Sequence, residues 1–138
     1  MRKWLVKSEP DVWSFADQVT RGAAGEEWHG IRNYQARNNM RLMQIGDQAF
    51  FYHSNIGKEV VGIVEIIALS HPDSTTDDAR WDCVDIRAVR PLPRPVTLAM
   101  CKADPRLAEM ALVKNTRLSV QPVTDAEWAV VCELGGLD

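Results

Sequence analysis

The apolar runs "DQAFFYHS" and "KEVVGIVEIIAL" lie almost end to end, separated only by the tripeptide "NIG". Both are dense in β-branched and aromatic residues, and a short glycine-containing gap between two such runs is a hairpin signal. The centre of the chain is thereby committed to an antiparallel pair, and everything else has to be arranged around it. "KWLVKS" alternates and is stopped at Ser8-Glu9-Pro10, which predicts a first strand over residues 3–7. "RWDCVDIRAV" alternates imperfectly, as a strand with a bulge or a change of face does. In "RPLPRPV", Pro91, Pro93 and Pro95 exclude a helix or a central strand, so the chain is expected to run extended there.

Helical spacing fills the remaining segments. Val12, Phe15 and Val19 recur with that period behind Asp11, which reads as an N-cap, and "RGAAGEEW" follows as a flexible connection. Ala36, Met40 and Met43 predict a second helix from about Tyr34, entered through Asn33 and ended by Gly46. "TLAMCKA" and "RLAEMALV" are short helical patterns, and "TRLSVQPV" is extended. "TDAEWAVVCEL" closes the chain as a helix in which Thr124 and Glu127 form a capping box. With 138 residues, 46% hydrophobic content and no internal repeat, residues 1–138 suit a single domain around one core. The expected fold is α+β, a small, mostly antiparallel, barrel-like sheet surrounded by short helices.

Several chemistries find no support. Cys83, Cys101 and Cys132 are far apart and odd in number, so neither a paired zinc motif nor a disulfide framework is indicated. His29, His53 and His71 are scattered singly, without metal-ligand spacing. His53 and Ser54 are adjacent, but they lack the surroundings of a catalytic triad, and neighbours on a strand point to opposite faces. No glycine-rich phosphate loop occurs, and neither a cofactor nor catalytic residues are expected. There is no apolar leader and no apolar run long enough for a membrane, and the expectation is a soluble, cytoplasmic, monomeric protein.

Binding is better supported. A net charge of -3 gives no overall attraction to a polyanion, so recognition of nucleic acid has to come from a local patch or pocket. Between Glu27 and Asp47 there is no acid, while Arg32, Arg37 and Arg41 fall inside the gap; a second acid-free window holds Lys114 and Arg117. A base-reading pocket needs flat walls for stacking and fixed polar groups for the base edge. Five tryptophans supply candidates. Trp4, Trp13 and Trp128 lie on regular patterns and suit the core, whereas Trp28 and Trp81 sit in or beside polar loops and suit either the core or a pocket wall. Ser8, Asn33, Ser54 and Asn55 stand where elements end, although Asn33 also suits a helix cap and Asn55 a turn. Arg37 and Arg41 share a helix face, suited to phosphate contacts or to ion pairs.

"WLVKSEPDVWSF", "WHGIRNYQARNNMRLMQIGDQAFFYHSN", "VVGIVEI" and "RLSVQPVTDAEW" together resemble the EVE domain family over nearly the whole chain. The resemblance implies a PUA-like fold, similar also to the YTH domain that reads methylated adenine in RNA. It implies a non-enzymatic reader of modified bases, with modified cytosine in DNA as the foremost ligand class and RNA as another. Carried onto this sequence, it places Lys7, Ser8, Glu9 and Pro10 at one pocket wall and Arg32, Asn33, Tyr34 and Gln35 at a second. Tyr52, His53, Ser54 and Asn55 form a third, with Arg117, Leu118 and Ser119 approaching from the C-terminal side. Trp28 is the first choice for the stacking aromatic and Trp81 the second, while Arg37, Arg41 and Lys114 are assigned to phosphate. Base flipping into this pocket is the expected mechanism. The alternatives are a PUA-type tRNA or rRNA contact without base specificity, and an enzyme acting on modified nucleotides.

Overall fold

The computed structural model describes residues 1–137, and its organising element is the expected hairpin. Strand β3 (Gln48–His53) turns through residues 54–58 into the long β4 (Glu59–Pro72), which pairs in turn with β5 (Asp82–Thr97). β1 (Lys3–Ser8) lies parallel to β3, with Lys3 opposite Gln48 and Ser8 opposite His53, and β6 (Val120–Val123) runs antiparallel along the outer side of β1. A two-residue strand, β2 (Glu26–Glu27), adds to the far edge beside β5. The six strands form one sheet in the order β2-β5-β4-β3-β1-β6, mostly antiparallel and not closed into a full barrel.

Pleating divides the core between the two faces. Trp4, Val6, Phe51, Val64, Val84 and Ile86 pack on one side, beneath α1 (Phe15–Thr20) and α2 (Tyr34–Leu42). Leu5, Phe50, Val60, Leu92 and Val96 pack on the other, beneath α3 (Leu98–Ala103), α4 (Ala111–Lys114) and α5 (Asp125–Leu134). Trp128 of α5 stacks on Phe50 with ring centroids 3.8 Å apart. The strands and helices that bury these residues account for the expected α+β architecture.

Three local differences from the sequence reading have physical causes. α1 begins at Phe15, not behind Asp11, because Ser14 and Asp17 cap each other: Asp17 N–H donates to Ser14 Oγ and Ser14 N–H to the Asp17 carboxylate. Val12 and Val19 are consequently 73% and 51% exposed, and Gln18 is buried in their place. The connection "RGAAGEEW" contains a 3-10 turn (Gly22–Ala24) and then β2. Gly25 makes that entry workable, since its φ is +71° and a Cβ there would run into the Ile86 carbonyl and the Ile67 side chain. Finally, β5 continues through all three prolines. β2 covers only Asp85 and Ile86, and the β4 ladder jumps from the Gly62–Pro91 pair to the Val60–Val96 pair, so Pro93 and Pro95 stand in a bulge where their missing N–H groups cost no ladder bond.

Candidate functional site

A cavity of about 360 Å³ opens where β1 ends beside β2. Lys7 and Ser8 come from the strand end, Val12 and Trp13 from the segment after Pro10, and Glu26, Glu27, Trp28, His29 and Ile31 from β2 and the loop beyond it. Two tryptophans therefore line one cavity. Trp28 is only 6% exposed and is backed by Phe51, edge to face at 5.5 Å between ring centroids. Trp13 is held by its indole N–H, which donates to Gln18 Oε1 at 2.9 Å, while Gln18 Nε2 donates to the Ile86 carbonyl at 3.1 Å. Phe15 anchors the same turn: a Cβ on Gly62 of β4 would overlap the Phe15 ring, and Phe15 N–H donates to His53 Nε2 at 3.1 Å.

The polar lining is sparse and specific. Ser8 donates its hydroxyl proton to the Trp13 carbonyl at 2.5 Å, so its free capacity is as an acceptor. Lys7 Nζ donates to the Thr116 carbonyl at 2.7 Å and keeps two further donors. Burial lowers the Lys7 pKa from its ordinary value, because the ammonium has lost part of its water. Glu26 stands opposite Ile86 and Glu27 opposite Asp85, so their side chains leave β2 on opposite faces, Glu26 with Trp28 on the core side. Among the described residues Glu26 pairs with no lysine or arginine side chain.

Lys7 also borders a second cavity of about 240 Å³, lined by Tyr52, Ser54, Asn55, Lys58, Leu98, Leu112 and Thr116. The expected walls thus divide. Lys7, Ser8 and Trp28 meet at the larger cavity, whereas Tyr52, Ser54 and Asn55 meet Lys7 at the smaller. His53 is spent on the Phe15 amide. Asn55 takes φ +68° in the hairpin turn. Glu9 and Pro10 line neither cavity; the Glu9 carbonyl accepts the N–H groups of Val12 and Trp13 in the turn toward α1. Leu118 is buried in the core, Ser119 accepts the Lys7 N–H through its carbonyl, and Arg117 is exposed.

The "GIRNYQARNN" residues lie elsewhere, on a ledge beside the larger cavity. Asn33 caps α2, its Oδ1 accepting the Ala36 N–H at 2.9 Å, and Gln35 is exposed. Arg32 pairs with the buried Asp73 at 3.0 Å, and that carboxylate also takes the N–H groups of Gly30 and Thr75 and the Thr75 hydroxyl. Tyr34 covers Trp81 with centroids 5.0 Å apart, leaving Trp81 8% exposed. The guanidinium groups of Arg32, Arg37 and Arg80 lie 5.6, 6.0 and 5.9 Å from the Trp81 ring. Of the residues assigned to phosphate, Arg41 pairs with Asp82 and Lys114 with Glu109. Arg37 bonds Asn38 Oδ1 and the Arg80 carbonyl and has no carboxylate partner among the described residues.

Val12, Trp13, Glu26, Glu27, His29 and Ile31 were not among the residues expected at the site. The usable signal was Pro10: a strand stopped there sends the next residues across the open end of the sheet, toward the polar loop that carries Trp28.

Comparison with known proteins bears on this arrangement. The family described as "EVE domain" matches residues 2–134. An Agrobacterium tumefaciens protein of known crystal structure is 62% identical, with a TM-score of 0.98, over 99% of this chain and 94% of that one. Human thymocyte nuclear protein 1 is 33% identical over 95% of this chain and 72% of its own length. The crystal structure of the human THYN1 protein in complex with 5-methylcytosine-containing DNA matches with a TM-score of 0.92 and 32% identity, over 100% of this chain and 99% of that one. A YTH domain of Zygosaccharomyces rouxii, solved with N6-methyladenosine RNA, shares the fold at a TM-score of 0.58 and 15% identity, over 97% of this chain and 86% of that one.

Proposed function

This chain belongs to the EVE domain family, and from that membership we propose that the cavity lined by Trp13 and Trp28 reads a modified nucleobase, foremost 5-methylcytosine in DNA, without chemical turnover. The observation that carries the reading is the pairing of two tryptophans with a carboxylate and an ammonium around a cavity of about 360 Å³, within the range of roughly 300–1,000 Å³ usual for small-ligand sites. A cytosine edge presents an amine donor at N4 and acceptors at N3 and O2. A carboxylate accepts from the N4 amine, which suits Glu26, and the two spare donors of Lys7 suit the acceptors. Trp28 and Trp13 provide the walls against which the base stacks, and Val12 and Ile31 are apolar neighbours for a C5 methyl. A base reaches such a recess only by leaving its stack, at a cost of a few kcal/mol that stacking and edge bonding repay.

Methyl recognition by apolar contact is worth about 1–3 kcal/mol, or roughly 10-fold or more in affinity. The experiment is a titration of matched DNA and RNA oligonucleotides bearing cytosine, 5-methylcytosine or N6-methyladenine at two salt concentrations. The expected result is tightest binding to 5-methylcytosine DNA, with the preference intact at the higher salt, and with binding of both cytosine and 5-methylcytosine DNA weakened in Glu26→Ala, which removes the acceptor for the N4 amine they share. Binding that ignores the modification and collapses with salt overturns the reading in favour of a PUA-type RNA contact carried by phosphate.

A further inference from the structure

Behind the cavity wall, on the other face of the same strands, four potential ligands converge from three strands. Glu27 leaves β2 opposite Asp85 of β5; Cys83 lies two residues from Asp85 on the same face; His71 of β4 pairs in register with Cys83. One ligand atom from each of Glu27, His71, Cys83 and Asp85 lies within 4.8 Å of every other. His71 Nε2 is 2.8 Å from Asp85 Oδ1 and 3.9 Å from Cys83 Sγ. We propose that these four side chains form a site for one divalent transition-metal ion, Zn²⁺ by preference.

The donor chemistry fits. Thiolate, imidazole and carboxylate are the three side-chain ligand types of zinc, and four of them satisfy a tetrahedral ion. Bonds of about 2.0–2.3 Å set donor separations of roughly 3.3–3.8 Å in a tetrahedron, so the cluster needs only side-chain adjustment of about an ångström. The local charge fits as well. Among the described residues, neither Glu27 nor Asp85 has a lysine or arginine partner, and the cation nearest to hand is His71 itself. The carboxylates that crowd Cys83 add to its burial in holding the thiol protonated, and the Asp85 bond raises the His71 pKa. Protons at present offset the negative charge that a metal ion would offset better. On binding, the Cys83 thiol proton goes to solvent, His71 binds as neutral imidazole, and Glu27 exchanges its bonds to the Ser74 N–H and hydroxyl for the ion.

The site would tie β2, β4 and β5 together immediately behind Trp28, the next residue after Glu27. It does not depend on the base-reading function: of the four ligands only Glu27 also lines the cavity, and its carboxylate is held by the Ser74 N–H and hydroxyl and by no group of the cavity. The test is titration of chelator-treated protein with Co²⁺, followed by displacement with Zn²⁺. The expected result is a single equivalent with a thiolate-to-cobalt charge-transfer band, bleached by Zn²⁺, and a raised melting temperature in Zn²⁺. Cys83→Ser abolishes the band, His71→Gln weakens Zn²⁺ binding more than about 10-fold, and Cys132→Ser changes neither. Because the wild-type band reports the thiolate directly, a variant that fails to fold leaves the test intact. Absence of the band in wild-type protein, or a band that survives Cys83→Ser, overturns the proposal.

Discussion

The cavity under Trp28 and the ledge around Trp81 are built from similar side chains and differ in what those side chains have left to offer. On the ledge, Arg32, Arg41 and Arg80 are paired with Asp73, Asp82 and Asp78, and Tyr34 lies on Trp81. In the cavity, the Glu26 carboxylate accepts only the neighbouring Glu27 N–H, at 3.2 Å, and two of the Lys7 donors remain uncommitted. Density of polar residues in a sequence therefore marks where bonds are made, and a binding site is where they are left unmade. The difference also fixes how each region resists change: the ledge holds itself together, whereas the cavity is held open from behind by Gln18, Phe15 and Phe51.

The strongest way to break the comparison is to truncate the two tryptophans, which are almost equally buried. Trp28→Ala and Trp81→Ala should each cost about 3–5 kcal/mol of stability in urea denaturation. Measured where both variants are folded, oligonucleotide binding should fall about 10-fold or more in Trp28→Ala, since base–aromatic stacking is worth roughly 1–3 kcal/mol, and change little in Trp81→Ala. Equal losses would erase the distinction between the two regions. Next in size, Gly62→Ala should destabilise by about 1–3 kcal/mol through the Phe15 ring, and Phe15→Leu in that background should recover part of it.

Smaller effects sharpen the contrast. Arg37→Ala should lower the slope of log affinity against log salt by about 1 unit, and Arg41→Ala, already paired with Asp82, by less. The weakest effect is expected at His53, whose pKa burial lowers, the Glu59 charge opposing. A depressed histidine favours the neutral folded state, so its stabilisation is present above the unfolded value near 6.5 and is lost as pH falls through the folded value. Thermal melts at about pH 7.5 and about pH 5 should show a larger drop in wild-type protein than in His53→Gln, in which that titration is absent.

What was legible in the sequence was what neighbouring residues decide together. The β3–β4 hairpin, the Asn33 cap and the Thr124–Glu127 box each follow from a few adjacent side chains, and each stands as read. β2 was invisible because two glutamates have no strand preference of their own; Gly25 and the exposed backbone of Asp85 and Ile86 create it. Trp13 read as core because it lies on a regular pattern, yet the capping of α1 by Ser14 leaves it ahead of the helix and beside the cavity. At the site, Lys7, Ser8 and Trp28 were found through strand ends and loop placement. Glu26 and Ile31 were not, since their side of the cavity depends on a pairing between residues about sixty positions apart in the chain.

Among the described residues, β1 and β3 are the only parallel neighbours in the sheet, and every residue lining the larger cavity belongs to β1 or to the chain between them. Hairpins close over short loops, whereas joining β1 to β3 closes a loop of some forty residues and adds no local reward until it is complete. The meander of β3, β4 and β5 can thus form before the recess exists. An oligonucleotide that binds only the finished recess would serve as a clock for the last stage of folding, its signal lagging the appearance of β structure in a stopped-flow trace.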